Sequence, residues 1–541
     1  MLIFGDYICA LKLDLGKRMN AFYKYGSFAI LICYAFVAFL ILPFYRYVAQ
    51  IDTFQYLVIA TKYANGFFME AVNSYWSPLL SWLLIPFIQF HCDTLFTLHV
   101  LQIIISIIAL CGIYTLIPLQ KEKSVSVFIV LLSITISILP FAFLAQTPDL
   151  LFATVVIWYL VLLLKSDWYF KKKYSFLLLG LIGGLMYFAK YPGFFAFIFS
   201  FSIFNLYHFL KKTSSTKNIL TKYILSIALF LLISSCWIVM ISKKEQRFLV
   251  SSTMEYNFNI AGPKLNPNVL APICHPIDWR GLLPPPPNKF SLSAWEEPNK
   301  TKPEAWNPLD NEKTFIHYIK IILRNVVSIQ SFYFGKDYGT ILLIGLCFLF
   351  YIDKKYLIDF FKNNLLLILI ASSFTLPYLL VFVMERYIWI NKVVLSMLAI
   401  SLVKFIPSEK NTAKNIFILV FCCMQVYLPI YDLLHPDDDN KEIFQEKYEL
   451  STYIHGNTAS LCNIDESKEK NHMQSSAVSY LIKCPYYGML AMPMEEKALF
   501  KQLKQHKISY VLVWSSDHHI PEYMYSEKKD FKCGLTAYKL R

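Results

Sequence analysis

Long apolar segments separated by short polar ones make up most of this chain. Runs of about 20 apolar residues are long enough to cross a bilayer as helices. They lie at residues 27–46, 96–118, 125–144, 149–165, 174–190, 191–210, 219–241, 338–352, 362–384, 387–406 and 413–431. The pattern predicts about eleven membrane helices. Because several of these runs follow one another with only short breaks, the number of helices could be up to about thirteen. The expected fold class is therefore mainly α, a polytopic transmembrane helical bundle.

The stretch from residue 50 to residue 84 interrupts this pattern. It opens with a carboxylate at Asp52, continues to Ala64 with apolar side chains near helical spacing, and re-enters apolar sequence at residues 75–82. The stretch is too polar to span a bilayer and too amphipathic to be a free loop, which predicts a helix lying in the membrane interface. An acid fixed at the membrane surface is a candidate catalytic base. The alternative is an ordinary interfacial loop with one solvated carboxylate.

Two further segments are polar enough to lie outside the membrane. The segment 243–337 is rich in Pro, Asn and Trp, and its end at 315–334 predicts another interfacial helix. After residue 435, short β-like runs at 459–464, 486–490 and 509–514 alternate with helical runs at 475–482 and 495–506. That alternation predicts a small α/β domain. We therefore expect a transmembrane domain at 1–435 and an extracytoplasmic domain at 436–541.

Composition places the chain among integral membrane proteins. Hydrophobic residues make up 56% of its 541 residues and charged residues only 16%, whereas soluble globular domains carry about 25% charged residues. The net charge of +14 comes largely from lysines in short runs between apolar segments. That distribution reflects membrane topology and excludes a nucleic-acid-binding protein. No CxxC pair is matched by a second pair, so a structural zinc site is not expected.

The basic residues predict the orientation. They fall in alternate loops, at Lys121, Lys123, Lys165, Lys171, Lys172, Lys173, Lys211, Lys212, Lys217, Lys222, Lys354, Lys355, Lys362, Lys404, Lys410 and Lys414. By the positive-inside rule these loops and the N-terminus are cytoplasmic. The first outer loop at 47–95, the large outer loop at 243–337 and the C-terminal domain then face outward. Within that domain Cys462 and Cys484 are candidates for a disulfide, with Cys274 and Cys533 as alternative partners.

Four groups of polar residues lie at outer helix ends and would gather on one face of the membrane. They are Asp52, Gln146-Thr147-Pro148-Asp149, Lys190-Tyr191-Pro192-Gly193 and Glu385-Arg386-Tyr387. Ionisable groups at such positions are candidates for function, although helix-end charges also serve as simple interfacial anchors. Two carboxylates and two cations converging on one face favour function.

The order of these motifs resembles the GT-C membrane glycosyltransferases. The nearest branch is the bacterial one that includes lipid A aminoarabinose transferase and, more distantly, the protein O-mannosyltransferases. Its elements are an acid after the first membrane helix, a Pro-Leu re-entry, an acid opening a helix, a Gly-rich helix ending in Lys, and a late Arg-Tyr pair. They are matched by Asp52, Trp76-Ser77-Pro78-Leu79, Thr147-Pro148-Asp149, residues 180–193 with Lys190, and Glu385-Arg386-Tyr387. The resemblance covers residues 25–210 and part of 380–405.

Two departures from the family pattern concern the donor. The first acid of the family is often followed by a second, and here Thr53 follows Asp52. A Lys-Pro-Pro element before the re-entry is replaced by Trp76-Ser77-Pro78, so one phosphate-binding cation of the relatives is missing. Because of these departures the identity of the sugar donor stays undetermined, whereas the resemblance to the GT-C class of enzyme is unaffected.

The resemblance implies an inverting transferase that moves a sugar from a polyprenyl phosphate to an acceptor hydroxyl or phosphate. Because the phosphate leaves as an anion, one base suffices, and Asp52 is the candidate. Lys190 and Arg386, with Tyr387, would hold the donor phosphate. Asp149 would orient an acceptor or pair with one of these cations. Tyr56, Lys62, Tyr75 and Trp76 are expected to line an interfacial substrate groove.

Further expectations concern partners and location. The donor is a dolichyl- or undecaprenyl-phosphate sugar, and the acceptor is a lipid, a glycan or a protein. The pattern identifies no certain cofactor, and a divalent metal is compatible with the sequence but not indicated by it. We expect a monomer in the bacterial inner membrane, surrounded by lipid, with a cytoplasmic N-terminus and an extracytoplasmic C-terminal domain.

Other classes remain open at this stage. An O-antigen polymerase or ligase would use a large outer loop carrying Arg and His, here His275, Arg280 and His317. A transporter would need charged groups at bilayer depth and repeated halves, and no convincing internal repeat is found. A structural membrane protein would not explain four polar motifs on one face.

Overall fold

A computed structural model describes residues 21–117, 125–270, 275, 281–335, 339–436, 440–463, 468–492, 494–514 and 520–541. Lys121, Lys123, Cys274 and Arg280, named above, lie outside these residues, as does the side chain of Cys462.

Helices form the part of the chain up to residue 434. In chain order they are α1 (Ala21–Tyr45), α2 (Ile51–Ala64), α3 (Leu79–Gln89), α4 (Thr94–Leu116), α5 (Val125–Leu144), α6 (Asp149–Leu164), α7 (Ser175–Ala189), α8 (Gly193–Leu210), α9 (Thr216–Glu245), α10 (Thr253–Ile260), α11 (Glu312–Gln330), α12 (Gly339–Ile352), α13 (Lys354–Leu379), α14 (Ile390–Phe405) and α15 (Asn411–Leu434). Shorter helical turns lie at Phe68–Ala71, Ser166–Lys171, Ala294–Glu296, Pro298–Thr301, Ser331–Gly335, Glu385–Ile388 and Ser408–Lys410.

The predicted apolar runs are helices in the structure. They correspond to α1, α4 to α9 and α12 to α15, and seven of them are long and apolar enough to cross a membrane: α1, α4, α5, α8, α9, α13 and α15. The other four, α6, α7, α12 and α14, have 14 to 16 residues. At 1.5 Å per residue they are about 21–24 Å long, less than the roughly 30 Å of bilayer hydrocarbon.

Helix α2 is present as predicted but is enclosed by protein. Residues 53–60, Lys62 and Tyr63 are all buried. The helix packs against α3 on one side and against a helix of the C-terminal domain on another, where the rings of Phe54 and Tyr480 lie 5.1 Å apart. The helix is covered by protein because residues 56–60 are apolar around the whole helix, a pattern typical of a buried helix. Its position in the membrane interface stays a prediction.

Helix α11 has the inverse arrangement of a soluble helix. It buries His317 and Asn325, while it exposes apolar side chains at Phe315, Ile316, Ile319, Leu323, Val326 and Val327. An exposed apolar face on a helix that also carries Lys320 and Arg324 is the pattern of a helix at a membrane surface.

The C-terminal segment forms the predicted α/β domain. Its strands are β1 (Thr458–Asn463), β2 (Tyr486–Met492), β3 (Tyr510–Val513), β4 (Tyr525–Asp530) and β5 (Thr536–Leu540), and its longer helices are α16 (Lys468–Ile482) and α17 (Glu496–Gln505). Short turns lie at Lys441–Gln445, Lys447–Tyr453 and Glu522–Met524. The sheet order is β2-β1-β3-β5-β4, with β1 parallel to β2 and β3, and β5 antiparallel to β3 and β4.

The structure contradicts the disulfide between Cys462 and Cys484. Cys484 is a buried free thiol, and so is its alternative partner Cys533. The parallel register places Cys462 opposite Ala491, seven residues beyond Cys484 along the chain. Neighbouring residues along a strand are about 3.3 Å apart, so the two cysteines lie at opposite ends of the strand pair.

Candidate active site

Polar side chains from four separate helix ends meet in one cluster, which we call the polar cluster. It consists of Asp52, Asp149, Lys190 and Arg386. A guanidinium nitrogen of Arg386, Nη2, lies 2.7 Å from Oδ2 of Asp52, and Lys190 forms an ion pair with Asp149. The Nε atom of Arg386 lies 3.8 Å from Oδ2 of Asp149, which joins the two pairs. The structure thus brings together the four charged residues that the sequence predicts for catalysis and phosphate binding.

The local sequence explains how Asp149 and Lys190 reach the polar cluster. Asp149 is the first residue of α6, where a carboxylate is favoured by the helix dipole, and it accepts a 2.6 Å hydrogen bond from Thr147 Oγ1. Lys190 lies in extended conformation between α7 and α8. The chain turns there because Pro192, the N-cap of α8, has its φ fixed by its ring, and because Gly193 has no Cβ that would collide with the carbonyl of Met186.

Arg386 is held in place while one of its donors stays unused. It lies in the short turn before α14 and donates from Nη1 to Oε1 of Gln50, whose own amide donates to the carbonyl of Leu144 over 2.8 Å. Its Nε is buried and has no hydrogen-bond partner within the described residues. A buried N–H without an acceptor is costly, so this donor fits an anion.

Tyr387 covers the lysine of the polar cluster. The Nζ atom of Lys190 lies 3.6 Å from the centre of the Tyr387 ring, a close cation–π contact. Burial lowers the pKa of the Lys190 ammonium to about 8, and the Asp149 carboxylate opposes that shift. Lys190 is therefore charged at neutral pH and loses its charge in mildly alkaline solution.

A group of aromatic rings lies against Asp52. The indole Nε1 of Trp295 donates to Oδ1 of Asp52 over 3.2 Å. The ring of Trp76 lies between 4.7 and 5.8 Å from the rings of Tyr56, Tyr75 and Trp295. Three of the four expected groove residues, Tyr56, Tyr75 and Trp76, thus lie beside the polar cluster.

Lys62 lies elsewhere, although it was expected in the same groove. It is ten residues beyond Asp52 on α2, about 15 Å along the helix axis. Its side chain is fully buried and forms an ion pair with Glu296.

The histidines of the large outer loop do not form one site with each other. His275 packs with its ring 4.6 Å from that of Trp295, and burial lowers its pKa to about 4, so it is neutral. His317 contacts the carbonyl of Ala261 through Nε2 over 2.8 Å. Arg280, the third member of the rival polymerase or ligase pattern, lies outside the described residues.

Sequence reasoning missed Trp295 and Gln50. The richness in Trp of the outer loop was a signal, but no local pattern indicates which tryptophan reaches Asp52. Within the described residues, no group of three or more His, Cys, Asp or Glu could hold a metal ion.

Comparison with known proteins supports the architecture. No family model matches the chain, and no curated protein matches its sequence. Among solved structures, the chain is similar to the oligosaccharyltransferase of Archaeoglobus fulgidus in complex with zinc and sulfate, with a TM-score of 0.51 and 12% sequence identity. The alignment covers 90% of this chain and 67% of that one.

At this identity the likeness shows the fold alone. It confirms the predicted fold class, a polytopic helical bundle of the GT-C type with a small C-terminal α/β domain. The described residues contain seven helices long and apolar enough to cross a membrane, as expected of an integral membrane protein.

Proposed function

We propose that the protein is an inverting glycosyltransferase that uses a polyprenyl-phosphate sugar on the extracytoplasmic face of a membrane. The observation that carries this proposal is the polar cluster, in which a carboxylate, a guanidinium and an ammonium meet at helix ends. The GT-C-type fold supports the class of enzyme, since the similar structure is that of an oligosaccharyltransferase. Charges at helix ends also favour an enzyme over a transporter.

The donor phosphate fits between Lys190 and Arg386. The unused Nε of Arg386 and the ammonium of Lys190 would each bind a phosphate oxygen. Asp149 then acts as the counter-ion that keeps both cations in place, which favours its pairing role over the acceptor-orienting role. The ring of Tyr387 restricts the position of Lys190.

Donor binding would also release the base. Without a donor, Arg386 occupies one oxygen of Asp52. A phosphate oxygen that competes for the guanidinium would free that carboxylate oxygen to accept a proton from the acceptor hydroxyl. The acceptor oxygen then bonds to the anomeric carbon while the carbon–phosphate oxygen bond breaks, and the phosphate leaves with the electron pair. One displacement inverts the anomeric centre.

The remaining parts of the proposal concern location and partners. A monomer in the bacterial inner membrane, with a cytoplasmic N-terminus, would place the polar cluster and the C-terminal domain outside the cytoplasm. The packing of α16 on α2 supports a role for that domain above the acceptor side. The acceptor is a lipid, a glycan or a protein.

A transfer assay tests the proposal. Purified protein in lipid nanodiscs is incubated with undecaprenyl-phosphate sugars that differ only in the sugar, together with a membrane extract as acceptor source. We expect at least one donor to yield free undecaprenyl phosphate and a glycosylated product with inverted anomeric configuration. Release with retained configuration, or no release from any donor, would overturn the proposal.

We expect donor affinity to fall as pH rises through 8. The phosphodiester of the donor keeps its charge in this range, whereas Lys190, with a pKa of about 8, loses its own. Mass action predicts about tenfold weaker binding at pH 9 than at pH 7. Binding of an undecaprenyl-phosphate sugar analogue is measured across this range. In Lys190→Arg the cation stays charged, so the affinity should not change with pH; the same decline in this variant would rule out Lys190 as its cause.

A further inference from the structure

A short segment of the large outer loop closes over the polar cluster. We call Ser291–Glu297 the strap. Its Trp295 donates to Asp52, and the carbonyl of Trp295 accepts a 3.1 Å hydrogen bond from the indole of Trp76. On the other side, the amide of Tyr486 in the C-terminal domain donates to the carbonyl of Leu292 over 2.7 Å. The strap thus runs between the membrane part and the outer domain.

One buried ion pair fastens the strap to helix α2. The side chains of Lys62 and Glu296 are 0% and 1% exposed, and Lys62 Nζ also donates to Ser291 Oγ over 3.1 Å. The amide nitrogen of the Asn73 side chain donates to the backbone carbonyl of Glu296 over 2.7 Å. A second ion pair, Lys244–Glu297, joins the strap to α9 and is 19% and 13% exposed. The pair Lys264–Glu304, by contrast, is exposed, at 73% and 56%.

We propose that Lys62 is a positioning residue, which acts through Glu296 to hold Trp295 against Asp52. This inference rests on the proposed function of Asp52. Helix α2 carries both Asp52 and Lys62, and the strap carries Trp295 next to Glu296. By neutralising the buried Glu296 carboxylate, Lys62 lets the strap stay against the same helix that presents Asp52.

The energetics of buried charges favour this role over a role in stability alone. A buried ion pair can often be replaced by apolar groups with little loss of stability. Removing only one partner is costly, because the other partner is then left as a buried, unpaired charge. Without Lys62, the Glu296 carboxylate would be buried and unpaired, and one of its oxygens already has no partner among the described residues. The strap would then be driven to expose Glu296 to water, and Trp295 would leave Asp52.

The test compares Lys62→Met with the double variant Lys62→Met/Glu296→Gln. The single variant should lower kcat by about tenfold or more, the cost of one hydrogen bond to a charged group. The decrease in kcat should equal that of Trp295→Phe. A variant that carries both Lys62→Met and Trp295→Phe should show no larger decrease than either single variant. The double variant leaves no charge unpaired and keeps the hydrogen bonds from Asn73 and Trp76 to the strap backbone, so kcat should return to within about threefold of wild type. Lys264→Met, in the exposed pair, is the matched control and should leave kcat unchanged.

Hydrogen exchange of the strap provides a readout independent of transfer. Peptides spanning residues 289–297 should exchange faster in Lys62→Met and at the wild-type rate in the double variant. If exchange follows this pattern but neither the wild type nor any variant transfers sugar, the role of Lys62 in positioning the strap is supported and the proposed function is refuted. Wild-type exchange and kcat in Lys62→Met, or failure of Glu296→Gln to restore them, would overturn the inference.

Discussion

Replacing Asp52 by Asn is expected to lower the rate of sugar transfer by about 10²–10⁴-fold, the usual cost of losing a general base. The amide keeps the shape of the side chain and can still accept from Trp295, so the strap and α2 should keep their positions. It cannot take a proton from the acceptor hydroxyl. Donor binding should therefore be retained while turnover is lost, as measured by release of undecaprenyl phosphate.

A second acid provides the control. Asp93 is the N-cap of α4 and forms an exposed ion pair with Arg46. Asn also caps helices well, so Asp93→Asn should leave both folding and turnover near wild type. Wild-type turnover in Asp52→Asn would remove this residue from the mechanism.

Replacing Arg386 by Gln is expected to weaken binding of the donor by about 100-fold. Truncating one partner of a buried, hydrogen-bonded charge pair costs about 2–5 kcal/mol. The change removes the unused Nε donor and the contact with Asp52 together. Arg386→Lys keeps the positive charge but loses the guanidinium, which can donate two parallel hydrogen bonds to a phosphate. This variant should therefore recover only part of the affinity for the donor. Binding of a labelled undecaprenyl phosphate to the purified variants measures both effects.

Arg247 is the matched control for this substitution. It pairs with Glu255, and both side chains are about half exposed. Exposed pairs contribute about 0–1 kcal/mol, so Arg247→Gln should bind the lipid like wild type. Equal affinity in Arg386→Gln and wild type would show that Arg386 is only an interfacial anchor.

The membrane part was predictable because its signals are local. A run of apolar residues of bilayer length gives the same helix whatever surrounds it, so the spans at residues 96–118 and 125–144 are recovered as α4 and α5. The ends of these runs also locate the polar residues. Asp149 and Lys190 are visible in the sequence because each borders a long apolar run.

Long-range contacts were beyond the sequence. Lys62 and Glu296 are 234 positions apart, and nothing near either residue indicates the other. For the same reason Lys62 was assigned to a groove, and Trp295 was missed. Strand β4 was missed for a different reason: its sequence Tyr-Ser-Glu-Lys-Lys-Asp is polar, and it lies at the exposed edge of the sheet.

The central claim is that Lys190 and Arg386 bind the phosphate of a polyprenyl donor beside Asp52. A structure of the protein in lipid nanodiscs with an undecaprenyl-phosphate sugar analogue bound tests it most directly. The account predicts phosphate oxygens within hydrogen-bonding distance of Lys190 Nζ and Arg386 Nε, with the contact between Arg386 and Asp52 loosened. A phosphate bound elsewhere, with both ion pairs of the polar cluster unchanged, would contradict the account.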